Sequence, residues 1–254
     1  MRMTVERFIA SKNPSKAQLA MQEMLRDIAV DKSYSKMMRL RLRGDAESEC
    51  HDVYYTAMDG DRAVSRHWMG WGKHEDAIGN WGNFLTIEEY RGKGIGGSVL
   101  KKWWDDLHST DHCPLPLGFL CTAGNTELTR LYSKFGFRPA IDGRDYGPLY
   151  MPLGNSPATF RELCEEYYQP SDTIIRRPAA IGWRHEIDCL LRFYFINNGE
   201  KFGIDGIESV EELLVTDKSR AEMFFTPSEK CVGWAFDGKI QLHPIYRSAM
   251  IIQG

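Results

Sequence analysis

The chain has 254 residues, a formal net charge of −3, and a composition that is 43% hydrophobic and 26% charged. These values are typical of a folded globular protein and exclude a disordered chain. The weakly acidic balance gives no overall attraction to nucleic acid, so no nucleic-acid partner is expected. No stretch of about eighteen apolar residues occurs, so no membrane partner is expected either.

Six cysteines are spread along the sequence: Cys50, Cys113, Cys121, Cys164, Cys189 and Cys231. They form no C-x-x-C pair and no Cys/His cluster at metal-ligand spacing, so no metal site is predicted. The first residues, Met-Arg-Met-Thr-Val-Glu-Arg-Phe, lack the apolar core of a secretory leader. We therefore expect a reduced, cytoplasmic protein.

The first predicted elements are a helix, a hairpin and a strand. Apolar residues recur with a helical period from Pro14 to Val30. Residues 51–57 and 63–71 are β-rich and are joined by Met-Asp-Gly-Asp, which predicts a hairpin because Asp-Gly tolerates positive φ. A further strand is predicted from Trp81 to Ile87.

Two clusters in this region have alternative interpretations. Three arginines occupy alternate positions before the hairpin: Arg39, Arg41 and Arg43. They could form the solvated face of a strand, which we favour, or a local contact for an anion. Three tryptophans gather in and after the hairpin: Trp68, Trp71 and Trp81. They could form an aromatic wall for a substrate, but core packing is the favoured interpretation because large aromatics supply much of the buried area of a core.

Four glycines follow the predicted strand within six positions: Gly92, Gly94, Gly96 and Gly97. Glycine has no side chain to screen its amide, so successive backbone N–H groups can converge on a phosphate at the first turn of a following helix. That helix is predicted from the apolar spacing between Val99 and Leu107. The segment therefore predicts an anion site.

Three nucleotide-binding patterns partly match these glycines. Gly92, Gly94 and Gly97 satisfy G-x-G-x-x-G, but charged residues separate them from the strand, unlike in a dinucleotide fold. A kinase loop would be accompanied by H-R-D and D-F-G, which are absent from the sequence. A P-loop needs Gly-Lys-Ser/Thr, whereas Lys93 is followed by Gly94.

A fourth pattern fits better. Arg91-x-x-Gly94-x-Gly96, preceded by Glu-Glu-Tyr, resembles the acetyl-CoA loop of the GNAT family of N-acetyltransferases. A second segment, Gly124–Phe137, resembles that family's other signature: an Asn opening a helix, Leu-Tyr near its end and a Gly-Phe exit. Two motifs at family-like spacing are more specific than either alone. The resemblance covers residues 1–154.

The resemblance implies an α/β (α+β) fold in which a mixed, mainly antiparallel twisted sheet is flanked by helices. It also implies acetyl-CoA as cosubstrate. Pantetheine would contact the backbone of Leu85 and Thr86, and the pyrophosphate would lie on the glycine loop and its cations. The residues implied to hold the pyrophosphate are Arg91, Gly92, Lys93, Gly94, Ile95, Gly96, Gly97 and Ser98.

The second motif supplies two further candidates. The family pattern implies that Asn125 holds the cofactor arm, although an N-cap role is equally compatible with its position. Tyr132 is the candidate general acid to the CoA thiolate, because a phenol can donate to sulfur. Its place in an apolar stripe is also compatible with a buried core tyrosine. No general base is assigned among the candidates His67, His74, Glu75, Asp76, Glu88 and Glu89.

A Pro/Gly-rich stretch around Gly154 predicts a boundary between a family-like domain, residues 1–154, and a smaller α+β domain, residues 155–254. In the second domain, helices are predicted over residues 158–168, 183–195 and 209–215, followed by a hairpin around Asp237-Gly238. This part could cover an acceptor site, mediate a homodimer or be a reduced copy of the first domain.

The leading hypothesis is an enzyme that transfers acetyl from acetyl-CoA to a primary amine of a small molecule or a peptide. The alternative is a non-catalytic acyl-CoA-binding regulator that kept the glycine loop and lost turnover. A third class, a dinucleotide-dependent oxidoreductase, predicts binding of NAD and none of CoA.

Overall fold

The computed structural model describes residues 3–27, 32–109, 114–198 and 207–254. The chain divides into two compact units. Unit 1 comprises residues 1–73 and 80–115, and unit 2 comprises residues 74–79 and 116–254. The short segment 74–79 therefore belongs to unit 2, although residues on both sides of it belong to unit 1.

Unit 1 is an antiparallel sheet with helices. Its elements are β1 (Met3–Ile9), α1 (Lys16–Asp27), α2 (Lys32–Arg41), β2 (Cys50–Asp59), β3 (Arg62–Gly72), β4 (Gly79–Thr86) and α3 (Ile95–Leu107). The strands are hydrogen-bonded in the order β1, β2, β3, β4. Tyr55 of β2 lies opposite His67 of β3, and Gly60 makes the turn between these strands with φ +60°. The predicted helix, hairpin, strand, glycine loop and second helix are confirmed in that order.

The core of unit 1 confirms one interpretation and overturns another. Trp68, Trp71 and Trp81 are each at most 3% exposed, so they are core residues. The prediction of a strand face for the three arginines is wrong, since α2 ends at Arg41 and a series of turns follows. Arg41 is buried with its guanidinium 3.7 Å from the centroid of the Trp68 ring. A cation–π contact thus replaces hydration for this cation.

Unit 2 contains the remaining elements. They are β5 (Gly118–Ala123), α4 (Thr126–Ser133), β6 (Arg138–Pro139), β7 (Gly147–Pro152), α5 (Phe160–Tyr167), β8 (Thr173–Pro178), α6 (Arg184–Asn198), α7 (Ile207–Thr216), β9 (Ala221–Phe225), β10 (Cys231–Phe236), β11 (Lys239–Leu242) and β12 (Met250–Gln253). Strands β5, β7 and β6 pair antiparallel in that order. A five-stranded sheet has the order β11, β10, β9, β8, β12, and only β12 and β8 pair parallel.

These sheets and helices confirm the predicted mixed, mainly antiparallel α+β class, including an additional C-terminal sheet. The three C-terminal helices and the hairpin formed by β10 and β11 are also confirmed, whereas β8, β9 and β12 were not predicted. One buried core of unit 2 combines Leu120 and Tyr150 with Phe160 and Leu163. The division into residues 1–154 and 155–254 stays a prediction of where the family-like segment ends.

Within the described ranges, no helix is both long and apolar enough to cross a membrane. The five cysteines in these ranges are buried free thiols, and Cys113 lies outside the described residues.

Candidate functional site

The glycine segment of unit 1 forms a sharp connection between β4 and α3. After Thr86 the chain makes one short 3-10 turn over Glu88–Tyr90 and then passes through Gly92 and Gly94. These two glycines have φ of +73° and +75°, which is the left-handed region where a side chain would be strained. Gly94 is the N-cap of α3. The local sequence therefore dictates this turn.

The first turn of α3 keeps its amides available. No side chain caps the helix, and its first turn contains no acidic residue. The first intrahelical donor is the Ser98 amide, which bonds to the Gly94 carbonyl at 3.0 Å. The N–H groups of Ile95, Gly96 and Gly97 precede it and have no intrahelical acceptor. Three adjacent donors at the positive end of a helix suit an anion.

The glycines serve different physical purposes. A Cβ on Gly92, Gly94 or Gly97 would meet no atom within 4 Å, so this side of the turn is open. A Cβ on Gly96 would instead lie 2.8 Å from Phe84 Cζ and 2.9 Å from Thr86 Oγ1. Gly96 is thus required for close packing of α3 on β4. The open glycines leave room for a ligand beside the amides.

Two cations flank the open turn. Arg91 is exposed and donates from Nε to the Thr86 carbonyl at 3.0 Å. The Lys93 ammonium lies 5.2 Å from the centroid of the Tyr90 ring. The Tyr90 hydroxyl donates to Asp59 Oδ2 at 2.6 Å, and this hydrogen bond raises the tyrosine pKa. This hydrogen bond connects the turn to the end of β2, a contact that the sequence patterns did not predict.

The strand residues implied to contact pantetheine have side-chain partners in unit 1. The Ser65 hydroxyl lies 3.1 Å from the Leu85 carbonyl and 2.8 Å from Thr86 Oγ1. Both residues are half-buried. The carbonyl groups of Leu85 and Thr86 therefore already accept hydrogen bonds, from Ser65 and Arg91 respectively. Their contact with pantetheine stays a prediction.

A cavity of about 820 Å³ adjoins this region within unit 1. Its walls include Leu85 and Arg91 together with α1 and the start of β3. Five carboxylate residues line it: Glu23, Asp59, Asp61, Glu88 and Glu89. Only Glu88 and Glu89 were among the candidate bases predicted from the sequence, because α1 and the β2–β3 turn are distant from them in sequence.

The second motif lies in unit 2 and starts with a capped helix. Asn125 Oδ1 accepts a hydrogen bond from the Leu128 amide at 2.9 Å, so Asn125 is the N-cap of α4. Its amide nitrogen is the group that could still contact a cofactor. Gly136 ends the motif with φ +84°. Tyr132 is 6% exposed, with its ring centroid 6.2 Å from that of Phe137. The catalytic role of Tyr132 stays a prediction.

His67 of unit 1 is a core residue. It is fully buried among Tyr55, Trp81 and Trp103, whose ring centroids lie 4.5 to 5.9 Å from its own. Burial lowers the His67 pKa to about 3, despite a contact of 3.2 Å between Nδ1 and the Gly82 carbonyl oxygen. An imidazole this weakly basic does not accept a proton from an ammonium group near neutral pH.

His74 of unit 2 takes part in a structural ion pair. Its Nε2 lies 3.4 Å from Oε1 of the buried Glu186, and its ring stacks on Trp183 at 3.6 Å. Burial alone would lower the His74 pKa, but the hydrogen bond and charge of Glu186 outweigh burial and raise it. The neighbouring Asp76 pairs with Lys230. The remaining base candidates, Glu75, Glu88 and Glu89, are exposed.

Comparison with known proteins gives matches in structure. No family model matches the sequence. No curated protein matches it either. An acyl-CoA N-acyltransferase from Pseudomonas aeruginosa is 13% identical and has a TM-score of 0.41, with 59% of this chain and 99% of that chain covered. A GNAT family acetyltransferase from Brucella melitensis, in complex with acetyl-CoA, is 13% identical with a TM-score of 0.41 and coverage of 62% and 92%. Escherichia coli ElaA is 16% identical with a TM-score of 0.41 and coverage of 58% and 99%.

Proposed function

We propose that the protein is an acetyl-CoA-dependent N-acetyltransferase that acts on a primary amine of a small molecule or a peptide. The observation that carries the proposal is the start of α3. There the helix has no side-chain cap, two glycines have positive φ, two cations flank the turn, and three N–H donors have no intrahelical acceptor. A pyrophosphate matches this arrangement in charge and in hydrogen-bonding capacity.

The chain's own groups divide the binding task. The amides from Gly92 to Gly97 would hold the pyrophosphate, and Arg91 and Lys93 would add positive charge. The backbone of Leu85 and Thr86 would align the pantetheine arm, and the Asn125 amide nitrogen would contact it. Acetyl-CoA supplies an acyl group activated as a thioester. A backbone N–H on β4 would stabilise the negative charge that develops on the carbonyl oxygen.

Tyr132 is proposed to complete the transfer. A neutral amine forms the new C–N bond as the C–S bond breaks, and the Tyr132 hydroxyl donates a proton to the departing sulfur. The amine loses a proton as it is acylated, and water carries a proton back to the Tyr132 phenolate, which restores the hydroxyl. No side chain is assigned as base, and the burial of His67 removes that residue from the candidates.

A second candidate function is acyl-CoA binding without turnover. The observation that favours it is the burial of Tyr132 at 6% exposure, which is also what a purely structural tyrosine shows. Such a protein would keep the anion site of α3 and act as a regulator that responds to acyl-CoA.

Thermal unfolding and turnover separate these functions. Acetyl-CoA should raise the melting temperature for both the enzyme and the regulator, by mass action, whereas NAD should not. Release of free CoA thiol should then be followed with a panel of diamines, amino-acid amides and short peptides. Acetylation of at least one amine supports the enzyme. Stabilisation without turnover favours the regulator, and stabilisation by NAD alone contradicts both.

Tyr132→Phe tests the proposed acid. The variant should lower kcat about 100-fold, because general acid catalysis contributes that much or more, while the affinity for acetyl-CoA stays unchanged. Tyr146→Phe is a matched control, since Tyr146 belongs to the same unit and is 58% exposed. Equal turnover in the two variants would remove Tyr132 from the mechanism.

A further inference from the structure

Strand β4 contains a residue with an unusual backbone conformation. Asn83 has φ +56°, in the left-handed region that asparagine adopts more readily than most residues, and it is only 9% exposed. Strand residues ordinarily have negative φ, so the peptide groups beside Asn83 are turned relative to those of a regular strand. This irregularity lies two residues before Leu85, which is proposed to align pantetheine.

Two successive side chains of β3 hold the irregular part of β4. Arg66 Nε donates to the Asn83 carbonyl at 3.2 Å, and His67 Nδ1 lies 3.2 Å from the Gly82 carbonyl oxygen. Both side chains are at most 1% exposed. A guanidinium is always charged, whereas His67 is neutral near pH 7, so Arg66 makes the stronger, charge-assisted hydrogen bond. Arg66 therefore fixes the direction of the Asn83 carbonyl.

The direction of the Asn83 carbonyl determines that of the next amide. The peptide group is planar and trans, so the Phe84 N–H points opposite to the Asn83 carbonyl. Because that carbonyl bonds to Arg66, the Phe84 N–H is directed away from this side chain. The Phe84 ring packs closely on Gly96 of α3, which fixes the residue from a second side.

Arg66 also increases the strength of that donor. A hydrogen bond from a cation to a carbonyl polarises the peptide group and makes its N–H a better donor. The Arg66 side chain is buried, so water screens this effect only weakly. A polarised N–H is most effective where negative charge develops during a reaction, because it then stabilises the charged state more than the neutral ground state.

The Phe84 amide lies where the acyl end of the proposed cofactor would be. The pyrophosphate would lie at the start of α3 and pantetheine along Leu85 and Thr86, so the thioester would reach the part of β4 that precedes them. We propose that Arg66 is a positioning residue for acetyl transfer, because it presents the Phe84 N–H to the carbonyl oxygen of the acetyl group. This inference rests on the proposed function.

The role of Arg66 is electrostatic and involves no proton transfer. As the amine forms the C–N bond, the carbonyl oxygen becomes negative and accepts the hydrogen bond from the Phe84 N–H. The C=O double bond is restored when the C–S bond breaks, and the sulfur leaves with the electron pair. Arg66 keeps all its protons throughout.

Arg66→Gln tests this role because it retains an N–H donor and removes the charge. It should lower kcat about tenfold or more, without changing the affinity for acetyl-CoA. Arg66→Lys retains the charge and should lose less. Arg41→Gln is the matched control, since Arg41 is another buried arginine of unit 1, stacked on Trp68. Equal losses of kcat in Arg66→Gln and Arg41→Gln would indicate general destabilisation and overturn the proposal.

Infrared spectroscopy of bound acetyl-CoA gives a readout that a purely structural role would not change. The isotope-labelled acetyl carbonyl should absorb at lower frequency in the complex than in solution, because accepting a hydrogen bond weakens the C=O bond. Arg66→Gln should move the band back towards its solution frequency, and Arg41→Gln should not. An unchanged band in Arg66→Gln contradicts the proposal.

Two substitutions of Asn83 test the geometry without removing the buried charge, and they decide the question even where Arg66→Gln does not fold. Both remove the same side chain. Asn83→Gly can adopt φ +56° without strain and should retain kcat, whereas Asn83→Ala is strained there and should lower it. Equal kcat in these two variants would show that the direction of the peptide group does not matter.

Turnover of the unaltered protein separates this inference from the proposed function. If the protein acetylates an amine and Arg66→Gln does so at the same rate, only the role of Arg66 is wrong. If the unaltered protein neither binds acetyl-CoA nor acetylates any amine, the proposed function fails, and the role of Arg66 fails with it.

Discussion

Helix α3 of unit 1 begins in a different way from α4 and α5 of unit 2. In unit 2, Asn125 caps α4, and Thr159 with Glu162 forms a capping box on α5. In unit 1, α3 begins at Gly94 with neither a side-chain cap nor an acidic residue in its first turn. A helix start with no internal acceptor is satisfied by water or by a ligand. The difference indicates that α3 is the start arranged for an external anion.

The same contrast appears in the treatment of charge. Arg184, His185 and Glu186 are consecutive at the start of α6 and are each at most 1% exposed. Glu186 accepts the Ile78 amide at 2.8 Å, and Arg184 lies 3.2 Å from Glu211. These charges at the start of α6 are satisfied internally, whereas Arg91 and Lys93 beside the start of α3 remain exposed. Four variants test this comparison.

The largest effect is expected from the buried charges of unit 2. Glu211→Leu removes the carboxylate beside the buried Arg184, and should reduce the free energy of unfolding by about 3–5 kcal/mol. Urea denaturation measures this loss. Asp237→Asn is the control, because it breaks an ion pair with Arg220 in which both side chains are 47% exposed, and it should leave stability nearly unchanged. Similar losses in the two variants would contradict the distinction between buried and exposed pairs.

Gly94→Val tests the open turn of unit 1. A valine at φ +75° is strained and should displace the neighbouring amides. The affinity for acetyl-CoA should then fall about tenfold or more, as expected when a hydrogen bond to a charged group is lost. Titration of acetyl-CoA measures the change. Gly60→Val introduces comparable strain at φ +60°, also with open space around the Cβ, in the β2–β3 turn. If this control loses as much affinity, general destabilisation explains the effect.

His67 should make the stability of the protein sensitive to acid. Its folded pKa of about 3 lies below the unfolded value near 6.5, so the unfolded chain takes up the proton first. The contribution of neutral His67 to the free energy of unfolding is fully present above pH 6.5. It falls by up to about 1.4 kcal/mol per pH unit towards pH 3. His67→Phe should reduce that slope in urea denaturation at pH 7, 6 and 5. His108→Asn, at an exposed histidine, should not; an unchanged slope in His67→Phe would refute this assignment.

The smallest effect concerns the capped start of α4. Asn125→Ala removes the acceptor for the Leu128 amide and should destabilise the protein by about 1 kcal/mol. Asn125→Asp should restore most of this stability in thermal denaturation, since aspartate is an equally good cap. Acetyl-CoA binding separates the two roles of the residue: a loss of affinity in Asn125→Asp would show that the amide nitrogen contacts the cofactor.

Local patterns predicted the parts of the fold that depend on local chemistry. The Asp-Gly turn of the β2–β3 hairpin and the glycine turn before α3 were predictable because few residues adopt a positive φ. The arginine pattern before β2 failed because alternation suggested a strand, whereas packing of Arg41 on Trp68 satisfies the cation at the end of a helix.

The features that the sequence patterns did not predict depend on contacts between residues far apart in sequence. Strand β8 contains Arg176, Arg177 and Pro178, which suggest a loop, but Glu222 and Glu229 pair with the two arginines. In the candidate site, glycine spacing predicted the turn. It could not indicate that Ser65 bonds to the Leu85 carbonyl or that Asp59 holds Tyr90, because both contacts join residues at least twenty positions apart.

The assignment of residues 74–79 to unit 2 has a consequence for the order of folding. The Ile78 amide bonds to Glu186, 108 residues later in the chain. During synthesis, this segment leaves the ribosome well before its partner, so unit 2 cannot close its core around Ile78 until α6 has been made. Contacts of such long sequence separation form late and slowly. Residues 74–79 must therefore remain without their Glu186 partner while the rest of unit 1 and the first elements of unit 2 are synthesised.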